Sequence, residues 1–447
     1  MSKSKAYRAT DVKNVQVEAV LKRAPEGPVT VGLDVGKNEV FVVVRWSNGD
    51  FERPWRARGP GQVGMLVALL KEIGQARPLT AAMESTGTYG DPLRGKLAEA
   101  GIALHRVGGK AASDYAEIFD GVPSQHDGKD AAIVAELTAF GKSRPWPYRE
   151  PTAFDAELEY RVDWLDAQQN IRMMWIGRLE ALLARHWPEA TKTLGLTSAT
   201  LLEALAYYGG PGALAQDASA TDRLADWSHG TVRATKIAAV IAAAAGTIGT
   251  RQTPRDVRRV RQFAALALAA TRHVKQARRK LEELAESCEV LRRQAQVIGG
   301  ATACVLWVAL GDPRNYVCAK AYRKAMGLNL RERSSGKHKG QLRITKRGPA
   351  IVRKWLYFAA LRWVQNPVVR KWYEPKKARD KDRGTGAVVA VAGKLALALY
   401  AVAVRGEQFE AWRLFPGRSV ARQNLQAVQQ STPEVAPASG GTAEAAI

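Results

Sequence analysis

The chain has 447 residues, 46% of them hydrophobic, with 67 Lys and Arg against 43 Asp and Glu, a formal charge of +24. That is enough apolar material for two or three domains with real cores, and the charge points to a polyanionic partner, nucleic acid first. It argues against a membrane protein or a secreted one, because no uncharged run reaches the roughly 18 apolar residues of a membrane span and MSKSKAYRAT lacks the apolar stretch of a secretory signal. The three cysteines, Cys288, Cys304 and Cys318, have no metal-ligand spacing and fit the reduced thiols of a cytoplasmic protein.

Residues 1–27 are basic and polar and read as a mobile arm. Val29 to Val35 and Val40 to Arg45 are β-branched runs joined by a Gly-Lys-Asn turn. Ser47-Asn48-Gly49-Asp50 is a hairpin signal, so Phe51 to Arg56 is expected as a third, antiparallel strand. Val63, Leu66, Leu69 and Leu70 give Gln62 to Ile73 a helical period. A strand from Leu79 to Met83 then ends at Glu84, a helix from Pro92 to Ala100 stops at Gly101, and Ile102 to Val107 is a further strand. Helices over Ala111 to Phe119 and Asp127 to Phe140 complete residues 28–150. Three strands, helix, strand, helix, strand and two helices is the order of a ribonuclease H-like α/β fold.

From Pro151 the pattern becomes helical. Phe154 to Trp187 is one long stretch, and residues 195–250 are Ala-rich with a Gly-Gly-Pro-Gly break at 209–212. After Pro254, apolar residues recur at 260, 263, 267, 270, 274, 277, 281, 284, 288, 291 and 295. This three–four alternation predicts a coiled-coil helix through residue 295, closing either within the chain or across a dimer. Residues 296–418 are the most basic: Arg314 to Arg383 holds 21 Lys or Arg against four acids, interleaved with Trp355, Trp363 and Trp372. These tryptophans read first as core. The polar, Pro-, Ser- and Ala-rich residues 419–447 read as disordered.

Four acids stand out. Asp34 lies in a buried apolar run, where a carboxylate is costly unless paired. Glu84 sits where a neighbouring strand ends. Asp127 and Asp130, three apart at a helix start, share a face. Singly, each has an ordinary reading: strand-end acid, arginine partner, helix cap. Together they fall on one edge of the inferred sheet, where carboxylates can hold two divalent ions that activate one oxygen of a phosphodiester and stabilise another. Mg²⁺ suits such oxygen donors, or Mn²⁺ in its place.

GLDVGKNEVFVVV, MESTGTYGDPLRGKLAEAGI and HDGKDAAIVAEL, in that order, resemble the N-terminal half of the insertion sequence 110 family of DEDD transposases, whose first domain is like the RuvC resolvase. VIGGATACVLWVALGDP resembles that family's Gly-centred helix–hairpin–helix, and AYRKAMGLNLRERSSGKHKGQLRITKRGPAIVRKWLYFAA its Ser-Gly and Ile-Thr-Lys-Arg-Gly block. The resemblance implies a mostly helical C-terminal transposase domain and Asp34, Glu84, Asp127 and Asp130 as metal ligands. It implies a nucleophilic serine at Ser335, with Ser334 as the other possibility, joined covalently to DNA during strand transfer. It further implies donor and target DNA and a bridge RNA as partners. Gly299 and Gly300, with Lys337, Lys339, Arg343, Lys346 and Arg347, are the expected phosphate contacts. The coiled-coil stretch and the exchange of two strands imply a dimer or tetramer in the bacterial cytoplasm, associated with the nucleoid. Two other readings stay open: a RuvC-like junction or structure-selective endonuclease that uses water, and a non-enzymatic nucleic-acid scaffold.

Overall fold

The structure, a computed structural model, describes residues 8–85, 87–121, 126–335, 338–379 and 384–416, and gives the backbone alone at 333–335, 338, 339 and 341. The chain divides into two compact units, Met1–Glu150 and Pro151–Ile447.

The first unit contains β1 (Thr10–Asp11), α1 (Val17–Arg23), β2 (Val29–Val35), β3 (Glu39–Arg45), β4 (Trp55–Arg58), α2 (Val63–Ala76), β5 (Leu79–Met83), α3 (Asp91–Glu99), β6 (Ala103–Arg106), α4 (Gly109–Ala116), α5 (Asp127–Ala139) and β7 (Arg144–Pro145). Its seven strands lie in the order β1-β4-β3-β2-β5-β6-β7. β2 to β4 form an antiparallel meander, while β5 pairs parallel to β2 and β6 parallel to β5. Setting the two edge strands aside, this is the expected ribonuclease H-like order. β2 is central, and Val29, Val31, Leu33 and Val35 are buried, which is why its sequence is almost continuously apolar.

Two expectations change here. The supposed arm is partly built into the fold: Val12, Val17 and Val20 are 1–5% exposed, and β1 pairs with β4. The polar residues between those valines conceal the pattern. The third strand also begins later than Phe51, at Trp55. Phe51 makes a single bridge to Arg45, and Pro54, lacking an N–H, cannot continue a ladder. The hairpin turn is as expected, with Gly49 at φ 95°.

The second unit contains α6 (Ala153–His186), α7 (Ala190–Thr193), α8 (Ala199–Tyr208), α9 (Pro211–Gln216), α10 (Ala220–Ser228), α11 (Ala234–Ala245), α12 (Pro254–Ser287), α13 (Glu289–Ile298), α14 (Gly300–Leu310), α15 (Ala319–Ala325), the hairpin β8 (Leu330–Ser335) and β9 (His338–Ile344), α16 (Ala350–Trp363), α17 (Pro367–Arg379), α18 (Thr385–Tyr400) and α19 (Ala411–Leu414). α6 and α12 start at built caps. Thr152 accepts from the Asp155 N–H, and Thr253 forms a reciprocal capping box with Asp256 ahead of Pro254.

The heptad seam of α12 closes within the chain. Val260, Ala264 and Ala267 share a core with Ile176, Leu179 and Leu183 of α6 and with α8. Val274, Ala277 and Leu281 share another with Leu158, Val162 and Leu165. The expected single helix to residue 295 is broken at Cys288, whose backbone is extended at φ −118°, ψ 120°. The period passes through this break unaltered because Leu291 faces the same core. That core runs from Leu158 to Phe415, so no boundary falls at residues 295–296.

α18 and the π-turn after it, Thr385–Arg405, are long and apolar enough to cross a membrane by composition. Val391, Leu395 and Leu399 are nevertheless fully buried among other helices. Its one internal charge, Lys394, donates to the Leu414 carbonyl at 2.7 Å and lies over Trp372 and Phe415.

α5 lies against β2 and β3 at Gly32. A Cβ on Gly32 would sit 1.8 Å from the Ala131 carbonyl oxygen and 2.6 Å from the Ala135 nitrogen. Gly32→Ala should therefore lower unfolding free energy by about 3 kcal/mol, the upper end of overpacking costs. Gly74→Ala, in α2, meets only Leu79 Cβ at 3.8 Å and should be neutral or stabilising by ~0.5–1 kcal/mol. Equilibrium denaturant unfolding compares the two, and similar midpoints would reject the close-approach argument.

Candidate functional site

Parallel pairing puts Leu33 of β2 beside Met83 of β5. Asp34 and Glu84, the next residue on each, therefore come off adjacent strands at the same sheet edge. The other acids come from α5. His126 is its N-cap residue, and its carbonyl accepts from the Lys129 and Asp130 N–H groups. Asp127 and Asp130 occupy the first turn, where the helix N-terminus favours negative charge. Gly32 lies against Ala131 and Ala135, and two residues further along β2 comes Asp34.

One carboxylate oxygen from each of Asp34, Asp127 and Asp130 lies within 4.8 Å of the others. Glu84 stands outside that close group but couples to it electrostatically. Burial, then the charges of Asp130, Asp127 and Glu84, push the Asp34 carboxyl up to about 6. Burial followed by Asp130 raises Glu84. Burial and Asp127 raise Asp130, opposed by Lys129 and His126. Asp34 and Asp130 are half-buried and Asp127 is exposed; carboxylates this close repel one another, and a hard divalent cation would relieve that repulsion. The all-oxygen donor set fits Mg²⁺ or Mn²⁺.

Three supporting residues escaped the sequence reading. Lys129 is 2% exposed and its Nζ meets Asp120 Oδ1 at 2.7 Å. It places a buried cation inside the DGKD turn, between the two aspartates. Gly109 opens α4, where a Cβ would come 3.0 Å from Glu84 Oε2. Gly32 is the third. A lysine between two acids looks like solvated surface, and neither glycine announces its neighbour.

In the second unit, Ser334 and Ser335 end β8 and Ser335 pairs with His338 across the hairpin. A register shift between Arg333 and Ser335 marks an irregularity just before the pair. Lys337 lies outside the described residues, and Lys339 is described by its backbone. Arg343, Lys346 and Arg347 are exposed, as phosphate contacts must be. The base of the hairpin is clasped: Thr345 Oγ1 bonds Asn329 Oδ1 at 2.5 Å, and the Thr345 and Lys346 N–H groups donate to Asn329 and Gly327 carbonyls. Lys346 is held at φ 56°, an uncommon conformation for a non-glycine residue. Gly348 packs where a Cβ would lie 2.2 Å from the Ala325 carbonyl.

Gly299 and Gly300, expected as phosphate contacts, sit at the α13–α14 junction. The Gly299 N–H is spent on the Ala295 carbonyl at 2.7 Å. Gly300 is buried, with a Cβ there 3.0 Å from the Glu282 Cα. The pair serves a tight helix-to-helix junction, with Gly299 at φ 84°.

Two family models match the chain. Residues 31–188 match a transposase model of the DEDD type from the IS110 group, and residues 291–374 match one described as the transposase IS116/IS110/IS902 family. Together they span just over half of the chain, in the expected order. The first includes all four acids, the second both serines. No curated protein matches.

The raised Asp34 pKa means the folded chain holds that proton more tightly than the unfolded chain. Its contribution to stability is full below the ordinary value of 3.8 and lost as pH rises through about 6. At pH 7 in chelator, Asp34→Asn should therefore melt a few degrees higher than the parent, with the gain gone by about pH 4. Added Mg²⁺ should stabilise the parent and not the variant. A lower melting temperature for the variant at both pH values would overturn this account.

Proposed function

The chain belongs to the IS116/IS110/IS902 family of transposases, and we propose that it cuts and rejoins DNA through a covalent serine–DNA intermediate, with Ser335 as nucleophile. The observation that carries the reading is the convergence of Asp34, Asp127 and Asp130 within 4.8 Å inside the segment matched to a DEDD transposase.

In this reading Asp34, Glu84, Asp127 and Asp130 hold Mg²⁺ or Mn²⁺, which supplies charge stabilisation to the reacting phosphodiester. The acids serve only when ionised, and Lys129 favours ionisation of Asp130. The Ser335 hydroxyl attacks a DNA phosphorus and gives up its proton as the new P–O bond forms. The bond to the neighbouring sugar oxygen breaks, and that oxygen leaves as a hydroxyl. A sugar hydroxyl of the partner strand then attacks the phosphoserine and frees the serine. Each step exchanges one phosphodiester for another, so no external energy source is required. Arg343, Lys346 and Arg347 hold the strand by its phosphates, without reading its sequence.

The family resemblance extends the proposal to a bridge RNA that pairs with donor and target DNA, and exchange of two duplexes calls for a dimer or tetramer. The α12 seam offers no support for that assembly, since α6 and α8 fill it.

The test incubates the protein with labelled element-end DNA, co-expressed flanking RNA and Mg²⁺, and looks for labelled DNA carried with protein on a denaturing gel. An adduct lost in Ser335→Ala and in Asp34→Ala, and kept in Ser334→Ala, is the expected result. Loss in Ser334→Ala alone would move the nucleophile by one residue. Free nicked DNA, made equally well by both serine variants, would replace the proposal with a water-using structure-selective nuclease.

A further inference from the structure

A cavity of about 550 Å³ opens beside the α13–α14 junction, walled by α12, the first turn of α14 and α16. Two guanidinium groups face it, Arg278 from α12 and Arg362 from α16. Arg362 spends one N–H on the Ile298 carbonyl at 2.7 Å, leaving further donors of its planar fork. Arg278 lies over the Trp355 ring, 5.3 Å from its centroid.

The pair is not neutralised. Among the described residues neither arginine is in an ion pair, and Glu282, one turn along α12, is a carboxylate in the lining that pairs with neither. Arg172 of α6, whose Nε is buried without a partner, lies outside the cavity lining but feels the charge of Arg278. Burial and then the Arg278 charge hold both Arg172 and Arg362 below the usual guanidinium range. Cations gathered from three helices with so little counter-charge repel one another, and an anion relieves that repulsion. Elsewhere on the same helix the chain compensates: Arg279, adjacent in sequence, pairs with Glu283 at 3.2 Å.

The other wall groups suit a phosphodiester. α14 is eleven residues long and its N-terminus opens into the cavity, where first-turn N–H groups have no intrahelical acceptor. Thr302 and Asn366 add neutral polar groups, and Trp355 with Trp363 supplies aromatic wall. Arginine is favoured here over lysine for bidentate phosphate recognition.

We propose that this cavity is a phosphate-binding site for a nucleic-acid strand, gripped by Arg278 and Arg362 at the N-terminus of α14. It lies apart from the serine hairpin and holds the strand without reacting with it. The inference rests on the chain being a nucleic-acid enzyme, but not on serine chemistry.

The test measures binding of labelled single-stranded DNA and single-stranded RNA of mixed sequence to the full chain, in chelator, across a KCl series. Arg278→Ala should weaken binding several-fold at 150 mM salt and reduce the log–log salt slope by about 1, and Arg362→Ala the same. Arg279→Ala removes equal charge one residue away and should stay within about two-fold of the parent. Arg278 is on a helix surface, so its variant keeps the test valid if Arg362→Ala unfolds the α13 end. An effect confined to DNA or to RNA identifies the strand. Equal effects of Arg278→Ala and Arg279→Ala on both strands would overturn the site and leave general electrostatic attraction. A covalent-adduct assay that fails while this binding pattern holds would remove the serine mechanism and keep the site.

Discussion

The first unit depends on one close approach, the backbone of α5 against the backbone of β2 at Gly32. There is no room there for a methyl group, since the Ala131 carbonyl occupies the position a Cβ would take. A helix packed on a sheet through ordinary side chains would stand further off, and the first turn of α5 with it. Asp127 and Asp130 would then miss Asp34. The small residues facing the sheet, Ala131, Ala132 and Ala135, are all buried and make the same contribution from the helix side. Packing and chemistry are therefore one requirement here: the contact that closes the core also assembles the acids.

Charge is handled in opposite ways in the two units. In the first, carboxylates are concentrated in a chain that carries +24, and burial compounds their mutual repulsion at Asp34. In the second, Arg172 and Arg362 both feel the charge of Arg278, and Glu282 is the one carboxylate in the cavity lining. Each arrangement would be relieved by a partner of opposite sign: a divalent cation for the acids and, in the proposed site, a phosphate for the arginines. Lys129 is the exception, a buried cation paired inside the fold with Asp120. It steadies the α5 turn without needing any ligand.

Much of this was legible from the residues. The acids could be found because a charge in an apolar strand is conspicuous, and because the helix period puts Asp127 beside Asp130. The sheet order followed from the sequence of strands and helices. What stayed hidden had physical reasons. A three–four repeat states that a helix has a seam but says nothing of its partner, so α6 could not be identified as the occupant. Nor does the repeat register a break such as Cys288 when the core lies on the same side of both pieces. The glycines at 32, 109 and 300 act through distant neighbours. At Gly299 the N–H already has an acceptor at Ala295, a local bond that flexibility alone does not reveal.

The reach of the second unit's main core bears on how the protein is made. Its apolar contacts join Leu158 of α6 to Phe415 after α19, and α18, a largely buried apolar helix, follows α6 and α12 to α17 in the order of synthesis. Until it arrives, α15 and α16 lack the helix they pack against most, and contacts so far apart in sequence form slowly. A chain interrupted before α18 already carries every residue proposed to act on DNA. It would present an open apolar face instead of a closed domain, and such faces are what chaperones and proteases recognise. The burial of α18 thus makes closure of the second unit's core wait on synthesis through this helix.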